Sequence, residues 1–191
     1  MIQIKNLTIV HKKDTRVILE DFSCVLGDGD KAVIIGEEGN GKSTLLQWLY
    51  SPDRIGDYCE ARGERIVRGH RMGYLPQELP GQEKEKSVYE YFMEESMFLE
   101  QDPKDLNRMA REFGLPVDFF YREQPMGTLS GGEKVKAQLL RLLVAEPDVL
   151  LLGAPRSNLD ARLRMEMRQV VRRIQRESKV TTIFVTHDQE E

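Results

Sequence analysis

The stretch Lys31–Tyr50, KAVIIGEEGNGKSTLLQWLY, changes character twice within a short span. KAVII is an apolar run of the kind that forms a buried strand, GEEGNG cannot continue it, and from Lys42 onward Leu45, Leu46, Trp48 and Leu49 fall at helical spacing. A strand therefore runs through a glycine loop into a helix. In that context Gly36–Ser43 satisfies G-x-x-x-x-G-K-[ST]. Successive backbone N–H groups of such a loop close around phosphate oxygens, and the helix start adds a favourable dipole. Gly36, Gly39, Asn40, Gly41 and Thr44 are candidate phosphate contacts; Lys42 would neutralise the β- and γ-phosphates and Ser43 would ligate magnesium. The ligand implied is a nucleoside triphosphate. Glu37 and Glu38 are unexpected beside it, and their side chains are read as solvent-directed with their amides facing the ligand.

Upstream, IQIKNLTIV alternates as a strand does, HKKDTR makes a polar turn, and VILEDFSCVL forms a second strand before the tight turn GDGD. Downstream, a short strand ends at RMGYLPQE, where Pro76 marks a loop. From Val88 to Tyr121 the pattern is helical, with Tyr89, Phe92, Met93, Met97 and Phe98 as one apolar stripe and Leu106, Met109 and Phe113 as another. Both stripes are read as core. Ser130 reads as a helix N-cap with Glu133 as its capping-box partner, ahead of a buried face of Leu139, Leu140, Leu142, Leu143 and Val144 that Pro147 ends. DVLLL is a buried strand, residues 157–178 an amphipathic helix with Leu159, Leu163, Met167, Val170, Val171 and Ile174 inward, and VTTIFVTH a last strand. The alternation predicts one α/β domain over residues 1–191. It has a mainly parallel central sheet, an N-terminal antiparallel β part and an inserted helical subdomain at about 80–146.

Composition narrows the class. The 191 residues suffice for one well-cored domain and not for two catalytic ones. No apolar run of about 18 residues could span a bilayer, and the N-terminus lacks the layout of a signal peptide. A cytoplasmic chain without membrane insertion is expected. Cys24 and Cys59 form no metal or disulfide pattern and read as thiols. A net charge of −4 argues against nonspecific nucleic-acid binding by the whole surface. The acidic stretch from Glu78 to Glu123 and the arginines between residues 156 and 176 read as solvated helix faces, and His70 as a surface residue.

Four further signals follow the loop in fixed order: GYLPQE with Gln77, LSGGE at Leu129–Glu133, SNLD ending at Asp160, and VTHD with His187. Together they resemble the ATP-binding cassette (ABC) ATPase family over essentially the whole chain, with a P-loop NTPase fold. The resemblance implies ATP and Mg²⁺ as ligands and a second cassette, a copy of this chain or a related one, closing head to tail. It implies that Gln77 helps hold magnesium, that Ser130, Gly131 and Gly132 grip the γ-phosphate of ATP bound by the opposite subunit, that Asp160 lies in the loop crossing that interface, and that His187 is the switch histidine touching the γ-phosphate. His11 falls where the family has an aromatic residue stacked on adenine, which an imidazole does less well.

Residues 1–152 are similar to the soluble family-F ABC proteins, which act on the ribosome, and residues 157–191 to the ATPase subunits of maltose-type sugar importers, which sit on a membrane permease. The two likenesses meet at VLLLGAPRSNLD, Val149–Asp160, where the family reads Asp-Glu-Pro after the strand. Gly153 stands in place of the magnesium-organising aspartate and Ala154 in place of the glutamate that polarises the attacking water. ATP binding with weak or absent hydrolysis is expected. The chain stops just after His187, where both groups continue, so a truncated or composite cassette is an alternative account of the same residues. Three roles stay open: a family-F-like module in translation, an importer ATPase subunit at the inner face of the membrane, and a non-enzymatic ATP-responsive binding module.

Overall fold

The computed structural model describes residues 1–37, 39–153, 165, 169, 172 and 180–186. The chain divides into two units, one built mainly from residues 1–74, 148–153 and 180–186 and the other mainly from residues 75–147.

The first unit is the α/β part. β1 (Ile2–His11) runs antiparallel to β2 (Val17–Leu26) on one side and to β4 (Cys59–Val67) on the other, so Ile2 faces Leu26 and Val67. β3 (Lys31–Ile35), β7 (Thr181–Thr186), β6 (Val149–Leu152) and β5 (Met72–Leu75) lie in that order in a second sheet. β7 pairs parallel with both β3 and β6, with Ile35 opposite Thr186 and Leu152 opposite Phe184. These registers bring the ends of β3, β6 and β7, at Ile35, Leu152 and Thr186, out at one edge, the carboxyl edge where ligands of open α/β sheets bind. Helix α1 (Lys42–Tyr50) buries Leu45, Leu46, Trp48 and Leu49 in one core with Ile2, Ile4, Leu7 and Ile9 of β1, Val149 and Leu151 of β6, and Ile183 and Val185 of β7. At about 1.5–3 kcal/mol per fully buried side chain, this contact is what fixes α1, and the loop before it, on the sheet.

The second unit carries α2 (Val88–Met93), α3 (Pro103–Glu112) and α4 (Gly131–Val144). Each start is capped by a side chain. Ser87 with Glu90 and Ser130 with Glu133 form capping boxes, and Asp102 accepts from the Lys104 amide with Pro103 at the first helical position. Phe92 sits edge-on to Phe120 with centroids 4.8 Å apart, and both rings meet Phe98, a cluster that holds α2 against the 3₁₀ turn Phe119–Tyr121. Glu83, Lys86, Glu94 and Arg141 form an ion-pair network, Lys86 bonding Glu83 at 3.0 Å and Glu94 at 2.5 Å, and the Arg141 guanidinium lies 4.4 Å from the Tyr91 ring centre.

The structure departs from several sequence expectations. The nine-residue β4 is not legible in the sequence, because CEARGERIV is an edge strand whose middle residues all face water and so lacks an apolar alternation. KAVII is not buried on both faces: at the sheet edge Ala32 and Ile34 pack on the core while Val33 and Ile35 are 53% and 52% exposed. The continuous helical pattern from Val88 to Tyr121 is broken: α2 ends at Met93, only a 3₁₀ turn at Ser96–Phe98 precedes α3, and α3 ends at Glu112. In α2 the capping box sets the phase, so Val88, Tyr91 and Phe92 are buried and Tyr89 and Met93 only half-buried. In α4, Ala137 and Gln138 join Leu139, Leu140 and Val144 inside, and Leu142 and Leu143 are half-buried. His70 is half-buried rather than on the surface, its Nε2 lying 2.8 Å from the Met1 amino group, which also pairs with Asp28. Cys24 and Cys59 are free thiols. The inward residues proposed for the helix at 157–178 lie outside the described residues; Met165, Gln169 and Arg172, at positions i, i+4 and i+7, are helical and exposed.

Candidate functional site

The loop between β3 and α1 is shaped by two left-handed glycines, Gly39 at φ 84° and Gly41 at φ 75°. At Gly41 the requirement is also steric, since a Cβ there would lie 1.9 Å from Ile18 Cγ2 of β2. Gly41 is also the N-cap of α1, with no side-chain cap and no acidic residue in the first turn. The first amides of α1 are therefore not spent on a capping oxygen, in contrast to those of α2, α3 and α4. Lys42, only 7% exposed, turns back across the loop, and its Nζ donates to the carbonyls of Gly36 at 2.7 Å and Glu37 at 2.5 Å. A buried ammonium, left-handed glycines and uncapped helix amides together make a cradle for an anion with several oxygens. Ser43 and Thr44, half-buried, follow on the first turn, and Asn40 and Gly39 are exposed at the loop's crest. Glu37 is exposed, as its sequence reading expects; Glu38 lies outside the described residues.

At the same sheet edge β6 is buried at every position and is followed by Gly153, also buried, which brings no side chain to the site. Ala154, Asp160 and His187 lie outside the described residues. Of the two residues read in the sequence as magnesium ligands, Ser43 belongs to the first unit and Gln77 to the second. A hydroxyl and an amide oxygen are each hard donors of the kind Mg²⁺ accepts beside phosphate oxygens and water. No group of three or more His, Cys, Asp or Glu suited to a metal occurs among the described residues. Gln77 is half-buried and belongs to the second unit.

His11 ends β1. Its Nδ1 lies 2.7 Å from Asp14 Oδ1 and its amide donates to the Arg16 carbonyl at 2.9 Å. Hydrogen bonds from the Arg16 amide and the His11 ring hold Asp14 below the usual carboxylate value. In the second unit, Ser130 and Gly131 are exposed and Gly132 half-buried. The Ser130 hydroxyl is engaged twice, donating to Glu133 Oε2 at 2.8 Å and accepting from the Glu133 amide at 3.2 Å. The hydroxyl and amide of Ser130 hold the Glu133 carboxyl below its ordinary value.

A family model described as ABC transporter matches residues 19–157. The iron import protein "Fe(3+) ions import ATP-binding protein FbpC" of Fusobacterium nucleatum is 32% identical over 188 residues, covering 92% of this chain and 48% of that one. The "sn-glycerol-3-phosphate import ATP-binding protein UgpC" of Chromobacterium violaceum is 31% identical over 198 residues, covering 100% of this chain and 53% of its own. The chain thus spans about half the length of these curated relatives. Among solved structures, CbiO1 from Clostridium perfringens, part of the ABC transporter complex cbiONQ, superposes with a TM-score of 0.71 at 21% identity over 98% of this chain and 78% of that one. The importer likeness confined in the sequence reading to residues 157–191 therefore extends along the chain. With the family model covering well over half of its residues, this chain belongs to the ABC transporter ATPase family.

Proposed function

We propose that this chain is the nucleotide-binding cassette of an importer-type ABC ATPase: it binds ATP with magnesium, closes head to tail on a second cassette, and works from the inner face of the membrane on a permease. The observation that carries the binding reading is the buried Lys42 ammonium facing carbonyls across a glycine loop whose helix is uncapped. The loop amides and Lys42 hold the β- and γ-phosphates, and Thr44 the phosphate nearer the nucleoside. Ser43 and Gln77 would hold magnesium, which would supply positive charge to neutralise the phosphates. Ser130, Gly131 and Gly132 face the γ-phosphate of the opposite cassette, which asks the Ser130 hydroxyl to leave Glu133, and Asp160 lies in the loop across that interface. His187 contacts the γ-phosphate, but neither Gly153 nor Ala154 can take a proton from water. Positioned general bases typically contribute about 10²–10⁴-fold, so turnover is slow.

No helix of the described residues is long and apolar enough to cross a membrane. The test is single-turnover ATP hydrolysis by the chain beside the double variant Gly153→Asp/Ala154→Glu. Restoration of both carboxylates should raise the rate by about 10²–10⁴-fold. Equal rates would show that the blank strand end is not what limits hydrolysis. Capture by ribosomes rather than by a permease would replace the importer role with the family-F one.

A further inference from the structure

β4 carries a charged residue where its pairing with β1 asks for an apolar one. Arg65 lies opposite Ile4, which is 2% exposed, as Val67 lies opposite Ile2, so the half-buried Arg65 side chain leaves the strand on the core face. The exposed middle of the strand is set apart from it by a register shift between Lys5 and Thr8, where a Cβ on Gly63 would lie 2.7 Å from Leu7 Cα. What Arg65 reaches is the C-terminal end of α1. Its Nε donates to the Leu49 carbonyl at 2.6 Å, and its Nη2 donates to the Tyr50 carbonyl at 3.0 Å and to Met72 Sδ at 3.3 Å. Those carbonyls are among the last four of the helix, which find no partner within it, and the last turn of α1 has no basic residue of its own. The guanidinium therefore supplies, from another strand, both the donors and the positive charge that a helix C-terminus favours. Desolvation pulls it below its ordinary value, and as an arginine it stays charged.

We propose that Arg65 is a positioning residue for phosphate binding: by holding the last carbonyls of α1 it fixes the axial position and rotation of the helix, and with them the loop amides and the Lys42 ammonium at the other end. The proposal rests on the phosphate-loop reading. α1 is nine residues long, about 13 Å of rise, so its two ends move together. Its apolar contacts through Leu45, Leu46, Trp48 and Leu49 hold it on the sheet but are non-directional, and they tolerate small sliding and rotation. Two hydrogen bonds from one planar guanidinium do not, since both carbonyls have to meet the fork at once. A binding constellation works when its donors are held within about 0.5 Å of their places, so slack at the C-terminal end of α1 is felt at the loop. Charge acts in the same direction, because a cation at the C-terminus and an anion at the N-terminus each complement the helix dipole.

The test is calorimetric titration of the full chain and of Arg65→Met, Arg65→Lys and Lys42→Ala, each with Mg·ATP and with magnesium tripolyphosphate, which has the phosphates and no base, beside urea unfolding of each. Arg65→Met keeps an apolar stem and removes the fork. It should weaken both ligands by the same factor, about tenfold or more, Arg65→Lys should recover only part of that loss, and Lys42→Ala should lose both ligands. Arg65→Met that unfolds at lower urea yet binds both ligands like the parent would show a purely structural role and overturn the proposal. ATP weakened with tripolyphosphate unchanged, or Arg65→Lys equal to the parent, overturns it as well, since the effect would then not run through the phosphates or not need the fork. Should Arg65→Met fail to fold, Arg65→Lys decides between the same outcomes. An unmodified chain that binds neither ligand overturns the loop reading, and the role of Arg65 with it.

Discussion

Gly41 is where the loop's shape and the β-hairpin beneath it constrain one atom. Replacing it with alanine asks an L residue to hold φ 75° and sets a methyl 1.9 Å from Ile18 Cγ2. The left-handed conformation costs about 1–2 kcal/mol, and relieving an overpacked contact costs typically about 1–3 kcal/mol. Gly41→Ala should therefore lose about 2–5 kcal/mol, or open the loop and lose its ligand instead. Urea unfolding followed by circular dichroism reads the first, and ATP titration the second. Ile18→Ala in the same chain removes the obstructing methyl but not the backbone strain, so the double variant should recover part of the loss relative to the sum of the two single variants. A Gly41→Ala chain that unfolds and binds ATP like the parent would refute both the steric and the conformational parts of this reasoning.

Three further outcomes follow from the second unit and the turn. Ser130→Ala removes the α4 cap and should cost about 0.5–2 kcal/mol in urea unfolding. Glu133 has its folded value lowered, chiefly by Ser130, so its contribution is full above the unfolded carboxylate value and is lost as pH falls through the folded one. Unfolding measured from pH 7 down to pH 3 should accordingly show a shallower acid decline in Ser130→Ala than in the parent. Arg141→Ala takes the guanidinium from the Tyr91 ring and from Glu83 and Glu94, and should destabilise the chain by about 1–2 kcal/mol, with Arg141→Lys recovering only part because it cannot reproduce the planar stack. Asp14→Asn should leave urea stability nearly unchanged, since the pair is exposed, and should loosen the His11 ring from its 2.7 Å contact, visible at one fixed pH as changed imidazole chemical shifts in NMR.

Where the sequence was most readable, one physical rule acted locally. The glycine spacing and apolar switch at Lys31–Tyr50 led to the strand, loop and helix found there, and Ser130 with Glu133 to the capping box. Long-range partners were less legible. Nothing local in CEARGERIV says that β1 pairs with it, because an edge strand needs no apolar alternation. The exposure of Val33 and Ile35 depends on which strands flank β3, which an apolar run cannot tell. A blank is legible in one dimension, and Gly153 at the end of a wholly buried strand is that case.

The central claim is that Lys42 and its loop hold a nucleotide triphosphate although the neighbouring strand end is empty. It is tested most directly by calorimetric titration of the chain with ATP, with and without magnesium, beside Lys42→Ala. Saturable binding that strengthens with magnesium and disappears in Lys42→Ala is the predicted result. Absence of binding by the unmodified chain, or binding that Lys42→Ala leaves intact, would contradict it.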